Sequence, residues 1–359
     1  MASDLSVDVG GVRIGGGAPV VVQSMTNTPT HDTAATLAQV ERLAHLGCEL
    51  VRVAVPDERS ADALPALIAQ SPVPLIADIH FDAGLAMAAL EAGVAKLRLN
   101  PGNIRRRADV ERVAARAAEL SVPIRVGVNS GSVPGDLRRR YGGVNADSMW
   151  AAAERHVLML ENAGFRDIVL SLKATDPQLT VEVNRRASRE RGYPLHLGVT
   201  EAGTPLSGSI RTAVAFTRLL DRGIGDTVRV SLAGSPEPEP VAAWEILSSL
   251  GLRRGFVRVV GCPTCARARL DVGTLASRVE ESLLGTRGDL TVAVMGCEVN
   301  GPGEAREADV AVIATPAGYL LFSGGSMRER LDEDELLPAL RREVQRLLSA
   351  DDNDQGGTA

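Results

Sequence analysis

The sequence predicts an α/β protein in which a (β/α)8 TIM-type barrel is followed by a small α+β domain. Two observations carry the barrel. Eight short runs rich in Val, Ile and Leu recur through the first part of the 359-residue chain, each ending in a polar or glycine turn, as strands covered on both faces do. Alanine-rich segments with apolar residues at three- and four-residue spacing lie between them, the period of a helix buried along one face. A third observation, a change of pattern near Arg254, sets the second domain apart. Eight strand–helix units within about 250 residues favour a closed barrel. An open doubly wound sheet is the alternative, but its glycine fingerprint is missing.

In chain order, GGVRIGGGAP is a glycine-rich turn expected to form a hairpin that plugs the barrel bottom. No helix opens directly after it, so it is not a nucleotide loop. The strands follow as VVVQSMT from Val20, LVRVAVP from Leu50, LIADIHFD from Leu75 and AKLRLNPGN from Ala95. IRVGVNSG from Ile124, DIVLSLKA from Asp167, LHLGVTEAG from Leu195 and TVRVSLAG from Thr227 complete the set. Helices such as TAATLAQVERLAHLG and ADVERVAARAAEL separate them, and VAAWEILSSLGL follows the proline-rich SPEPEP, where Pro starts a helix but cannot continue one. The barrel is assigned residues 1–253 and the α+β domain residues 254–350. The latter has strands at FVRVVG, TVAVMG and DVAVIATP, a hairpin through GYLLFSGG, and two helices. The tail 351–359, DDNDQGGTA, is expected to be disordered.

Composition narrows the function. A net charge of −6 and a pI near 5.5 argue against nucleic-acid and general membrane-surface partners, and 3% aromatic residues make the core aliphatic. No apolar run approaches membrane-spanning length and the start lacks a signal-peptide pattern, so a cytoplasmic location is expected. Four cysteines in so long a chain are no disulfide framework.

Three of those cysteines, Cys262, Cys265 and Cys297, fall in GCPTC and MGCEVNGPGEA. Two thiolates on one turn and a third after a separate strand suit zinc or an iron–sulfur cluster. No histidine follows His196, so a Cys3His site within this segment is excluded. The nearest hard donor is Glu304, behind a Gly-Pro-Gly turn. Cys48 has no thiolate neighbour in sequence and reads as a small buried hydrophobe.

Charges inside strands mark the other half of the chemistry. Arg52, Arg98, Arg125 and Arg229 each interrupt an apolar run, and Lys173, one of only two lysines, ends another. Five cations on five barrel strands converge on the C-terminal mouth, and a cluster of one sign needs an anion, for which phosphate or diphosphate fits guanidinium geometry best. The bland alternative is an interior ion-pair network through Asp78, Asp167, Asp176 and Glu201. Glu201, in GVTEAG at a strand end, is a candidate for proton transfer. His80, Asn100, Asn103, Asn129 and Thr200 are polar residues at other strand ends. His31, His45 and His156 read as structural residues on turn or helix surfaces.

The motifs QSMTNTPTHD, ADIHFD, LRLNPGNI, IRVGVNSGS, LGVTEAG, RVSLA, GCPTC and GCEVNGPGEA, in this order, closely resemble the bacterial 4-hydroxy-3-methylbut-2-enyl diphosphate synthases. These enzymes act late in the methylerythritol phosphate route to isoprenoids. The resemblance spans nearly the whole chain and implies a two-domain enzyme whose small domain holds a 4Fe–4S cluster on Cys262, Cys265, Cys297 and Glu304. It implies 2-C-methyl-D-erythritol 2,4-cyclodiphosphate as substrate, bound by Arg52, Arg98, Arg125, Lys173, Arg229 and Ser231, with Asn129 and Asn300 lining the site and Glu201 catalytic. It further implies electrons from flavodoxin or ferredoxin, and a homodimer in which the cluster domain of one chain caps the barrel of the other. The rival readings are a zinc-dependent phosphosugar lyase or hydrolase and a non-catalytic iron–sulfur redox sensor.

Overall fold

The computed structural model describes residues 3–355 other than 81, 105, 269, 298–302 and 304. The chain divides into two compact units, Met1–Arg253 and Arg254–Ala359.

The first unit opens with an antiparallel hairpin, β1 (Ser6–Val9) and β2 (Val12–Gly15). Val7, Val9 and Ile14 pack against Val21, Leu50, Ile76 and Val169 near the starts of barrel strands. The hairpin therefore closes the barrel bottom, as its sequence predicts. The barrel alternates strand and helix. It runs β3 (Val21–Met25), α1 (Thr33–His45), β4 (Leu50–Ala54), α2 (Glu58–Gln70), β5 (Leu75–Asp78) and α3 (Ala83–Glu91). Next come β6 (Lys96–Arg98), α4 (Arg107–Glu119), β7 (Ile124–Asn129), α5 (Gly135–Arg140) and α6 (Ala146–Asn162). It ends with β8 (Ile168–Lys173), α7 (Pro177–Glu190), β9 (His196–Leu197), α8 (Pro205–Leu220), β10 (Thr227–Val228) and α9 (Pro238–Ser249).

The parallel sheet has the order β8-β7-β6-β5-β4-β3-β10-β9, and a parallel bridge between Leu170 and Leu195 joins its ends. Helix starts are set by side chains that satisfy otherwise orphaned amides: Asp32, Asp57, Asp82, Asn145 and Asp176 each accept from an N–H of the first turn. Cys48 is 2% exposed among Val40, Leu43, Val51 and Leu67, and burial pushes its thiol well above the ordinary range. His156 departs from the expected surface position. It is buried, because α6 packs on the Pro101–Asn103 turn, where a side chain on Gly102 would collide with the imidazole.

The second unit is a five-stranded sheet in the order β11 (Arg258–Gly261), β12 (Thr291–Met295), β13 (Val310–Thr315), β14 (Gly318–Ser323), β15 (Ser326–Leu331). The first three strands are parallel and the last two add antiparallel. Helix α10 (Val272–Leu283) and the last helix, α11 (Glu333–Gln355), cover one face, through Val272, Leu275, Val279, Leu336, Leu340 and Val344. Backbone helix continues to Gln355, five residues into the segment expected to be a disordered tail from Asp351. Extending an existing helix fixes one residue per hydrogen bond and needs no new nucleus. Residues 356–359 lie outside the described residues.

Candidate functional site

At the C-terminal mouth of the barrel a cavity of about 140 Å3 is lined by Arg52, Arg98, Arg125, Lys173, Arg229 and Ser231, with Asp78, His80, Gly127, Asn129, Ser171 and Thr200. The parallel register explains the convergence. Asp78, Arg98 and Arg125 are register partners across β5, β6 and β7, Arg52 lies mid-strand in β4 opposite Ile76, and Lys173 ends β8 opposite Asn129. Arg125 is only 2% exposed.

Two carboxylates neutralise part of this charge. Asp78 lies 3.2 Å from Arg98 Nη1 and 3.7 Å from Arg52 Nε, and His80 Nε2 is 3.5 Å away. Burial works against its charge, but Arg52, the His80 hydrogen bond, Arg98 and Arg125 outweigh it and hold the carboxyl far below the usual carboxylate range. Glu239, on the first turn of α9, is 2% exposed and takes both forks of Arg229, from Nε at 2.9 Å and Nη2 at 3.0 Å. It also accepts from Ser24 Oγ at 2.6 Å and from the Leu232 N–H at 3.1 Å. Four donors surround one carboxylate, so this ion pair is fully satisfied and fixes the guanidinium in place.

Arg125 and Lys173 have no carboxylate partner among the described residues. Nε and Nη1 of Arg125 are buried without a hydrogen bond. Burial, then Arg52 and Arg98, drive its guanidinium well below its ordinary pKa. Burial, then Arg125, Arg52 and Arg229, do the same to Lys173. Arg52 is lowered to about 10, again chiefly by burial. Against the alternative of an interior network, Asp78 alone of its four candidate carboxylates pairs with these basic groups among the described residues: Asp176 caps α7, and Glu201 accepts from Thr175 Oγ1 at 3.3 Å. Five basic side chains set against two carboxylates favour an anionic ligand of charge two or more.

Glu201 does not line the cavity. It follows the lining residue Thr200, is exposed, and adopts φ 52°, a left-handed backbone that costs a non-glycine residue roughly 1 kcal/mol. Asn129 lines the wall; Asn100 accepts from the Gly127 N–H at 2.9 Å and shapes it. Three contributors lack a distinctive sequence signal. Glu239 sits within SPEPEP. His196, wholly buried, lies 3.1 Å from Lys173 Nζ. Gly198 leaves the space that Lys173 fills, since a Cβ there would stand 2.7 Å from Nζ and 2.8 Å from Cε.

In the second unit, Cys262 directly follows β11 and Cys297 lies two residues beyond β12, so both thiols leave the same end of two neighbouring parallel strands. Cys262 Sγ accepts from the Gly296 N–H at 3.2 Å. Cys265 is exposed, and N–H donation and charge from Arg267 lower its thiol pKa. Thiolates that receive backbone N–H bonds suit a soft metal or an iron–sulfur cluster, so this donor chemistry fits the expected group. Among the described residues, no three His, Cys, Asp or Glu side chains are drawn together at metal-holding distance. Glu304 and Asn300 lie outside the described residues.

Barrel and thiol-bearing unit together define a class: a (β/α)8 barrel with a basic cavity at its mouth, joined to an α+β domain with soft metal-ligand chemistry. Family profiles give the particular assignment. The GcpE TIM-barrel domain matches residues 4–244 and the GcpE protein C-terminal domain residues 258–346, and the chain belongs to this family. The 4-hydroxy-3-methylbut-2-en-1-yl diphosphate synthase (flavodoxin) of Natranaerobius thermophilus is 51% identical over 94% of this chain and 95% of its own length. That of Geobacter sulfurreducens is 49% identical over 97% and 99%. Among solved structures, 3-dehydroquinate dehydratase from Geobacillus kaustophilus covers 70% of this chain and 98% of its own, at 18% identity and a TM-score of 0.50, a likeness of barrel fold alone.

Proposed function

We propose that this chain converts 2-C-methyl-D-erythritol 2,4-cyclodiphosphate into (E)-4-hydroxy-3-methylbut-2-enyl diphosphate, the diphosphate for which its relatives are named. Two electrons and one proton enter, the ring C–O bond to phosphate breaks, a C=C bond forms, and one hydroxyl leaves as water. The observation that carries this reading is the cavity, with five basic side chains set against two carboxylates. Arg52, Arg98, Arg125, Lys173 and Arg229 hold the diphosphate, and Ser231 and Asn129 offer it neutral hydrogen-bonding partners. Asn300 is assigned to the same lining on sequence grounds. Guanidinium groups already fixed by Asp78 and Glu239 stabilise the charge released on ring opening without having to reorganise. Glu201, at the cavity rim, delivers the proton with which the hydroxyl departs.

When bound, a 4Fe–4S cluster held by Cys262, Cys265, Cys297 and Glu304 supplies the electrons one at a time. Flavodoxin, the donor in the relatives' names, is the proposed reductant here, with ferredoxin as the substitute. The enzyme is proposed to act in the cytoplasm. No helix among the described residues is long and apolar enough to cross a membrane. A homodimer is proposed, with a site shared between its chains; association is supported by one face of α8, where Leu206, Ile210 and Val214 are 76%, 57% and 49% exposed at helical spacing.

The test is the anaerobically purified protein, which is expected to be brown, to contain iron and sulfide, and to turn over the cyclodiphosphate under a strong reductant. A colourless zinc protein would reject this reading. A brown protein inert towards the cyclodiphosphate would favour a redox sensor instead.

A further inference from the structure

Lys173 and His196 form a contact that the binding of an anion alone does not explain. Both are buried, at 7% and 0% exposure, and Lys173 Nζ lies 3.1 Å from His196 Nε2. On the far side of the ring, Nδ1 lies 3.5 Å from Oγ1 of the wholly buried Thr227. Two basic nitrogens in contact inside a barrel can share at most one added proton at reasonable cost. The surroundings sharpen this. Arg52 on β4, Arg98 on β6, Arg125 on β7 and Arg229 after β10 line the cavity, and Lys96 on β6 is buried in the barrel, where burial and then Arg125 and Arg52 drive its ammonium well below its ordinary pKa. Among the described residues, Asp78 on β5 and Glu239 on α9 oppose this positive charge.

We propose that the chain Lys173–His196–Thr227 is a proton-accepting unit that is neutral in the free enzyme and takes up a proton when the doubly charged cyclodiphosphate enters the cavity. This deepens the functional reading above and rests on it. The hydrogen-bond inventory supports both states. In the charged state the Lys173 ammonium donates to Nε2, and Nδ1–H donates to Thr227 Oγ1. In the neutral state Nε2–H donates to the Lys173 amine, and the Thr227 hydroxyl donates to Nδ1. Every group keeps its partner in both states, so the charge changes without orphaning a buried polar atom. Burial, followed by Lys173, Arg125, Lys96 and Arg52, drives the imidazole well below its ordinary pKa; an aliphatic amine is intrinsically the stronger base of the pair, and the added proton is assigned to Lys173, which lines the cavity that the dianion enters. Lys173 is a ligand-contacting residue in this account, and His196 and Thr227 are positioning residues that act through it.

The sign follows from linkage. The free amine has a depressed pKa, and an adjacent dianion raises it. Net uptake therefore appears at pH values between the two and vanishes below the lower one. Each phosphorus of the cyclodiphosphate carries one ester bond and one anhydride bond and so has a single, strongly acidic ionisation, and the ligand itself contributes no proton change near neutrality.

The experiment is titration calorimetry of the cluster-loaded enzyme with the cyclodiphosphate, without reductant, in buffers of different ionisation enthalpy. At mildly alkaline pH the heat is expected to depend on the buffer and report proton uptake, with the uptake fading as pH falls. Lys173→Met should abolish it. His196→Gln, whose amide can also accept or donate, should keep uptake but move its pH midpoint, a change that a merely structural histidine would not produce. Binding with buffer-independent heat across the range overturns the inference and leaves the functional reading standing. So does uptake undiminished in Lys173→Met. If that variant does not fold, an unmoved midpoint in His196→Gln decides against the inference. Absence of any binding heat in the wild type would overturn the functional reading, and this inference with it.

Discussion

Arg229 owes its position to a carboxylate ten residues further along the chain. Glu239 is buried and gathers four donors, so its removal leaves an uncompensated guanidinium in a cavity that already holds excess positive charge. Breaking such a pair costs about 3–5 kcal/mol. Glu239→Ala is expected to lower the chemical-denaturation midpoint by that order and to raise KM for the cyclodiphosphate. Glu239→Gln, which keeps the shape and loses the charge, should show a smaller loss of stability. An unchanged midpoint in the alanine variant would mean that Arg229 finds another partner. The five cations were legible in the sequence because a charge in an apolar run breaks a strong pattern. Glu239 was not, because a glutamate among prolines at a helix start looks like a solvated charge until barrel closure carries it inward. Gly198 and His196 were hidden for a related reason: the contact each makes with Lys173 joins neighbouring strands whose register no local pattern states.

At the scale of elements, strands and hairpin were readable because their burial imposes a period or a run. Their ends were less so. The runs from Leu195 and Thr227 look as long as the others, yet β9 and β10 have two residues each. Gly198, directly after β9, gives its side-chain space to Lys173. The hairpin β1–β2 offers a clean energetic test. Ile14 is fully buried beneath the barrel against strand-start residues. Ile14→Ala is expected to destabilise the barrel by about 2–5 kcal/mol, the usual range for emptying a core aliphatic position. Because the hairpin closes the end opposite the cavity, KM in the folded variant should stay near the wild-type value. A large rise in KM with little loss of stability would contradict the plug role.

For the whole molecule, the division at Arg253 and Arg254 separates a unit that carries cations from one that carries thiols. Each has its own core. How many chains make one working site is a question that a single sequence does not encode, since the α8 face reads as an ordinary amphipathic surface until its exposure is seen. Mixing a Cys297→Ser chain with a Glu201→Gln chain provides the measurement. Each parent is expected to be nearly inactive, and mixed dimers should recover part of the wild-type turnover by pairing an intact barrel with an intact thiol domain. Verified mixed dimers without recovery would mean that each chain works alone.

The uncompensated guanidinium of Arg125 has a consequence for selectivity. Coulomb attraction does not distinguish one small dianion from another, so the cavity's strongest forces recognise phosphate and say little about the carbon skeleton attached to it. Discrimination among phosphorylated metabolites then falls to the few neutral groups in the wall, Ser171, Thr200, Ser231 and Asn129. A site with so much charge and so little neutral surface admits many visitors and must reject the wrong ones by what they cannot subsequently do.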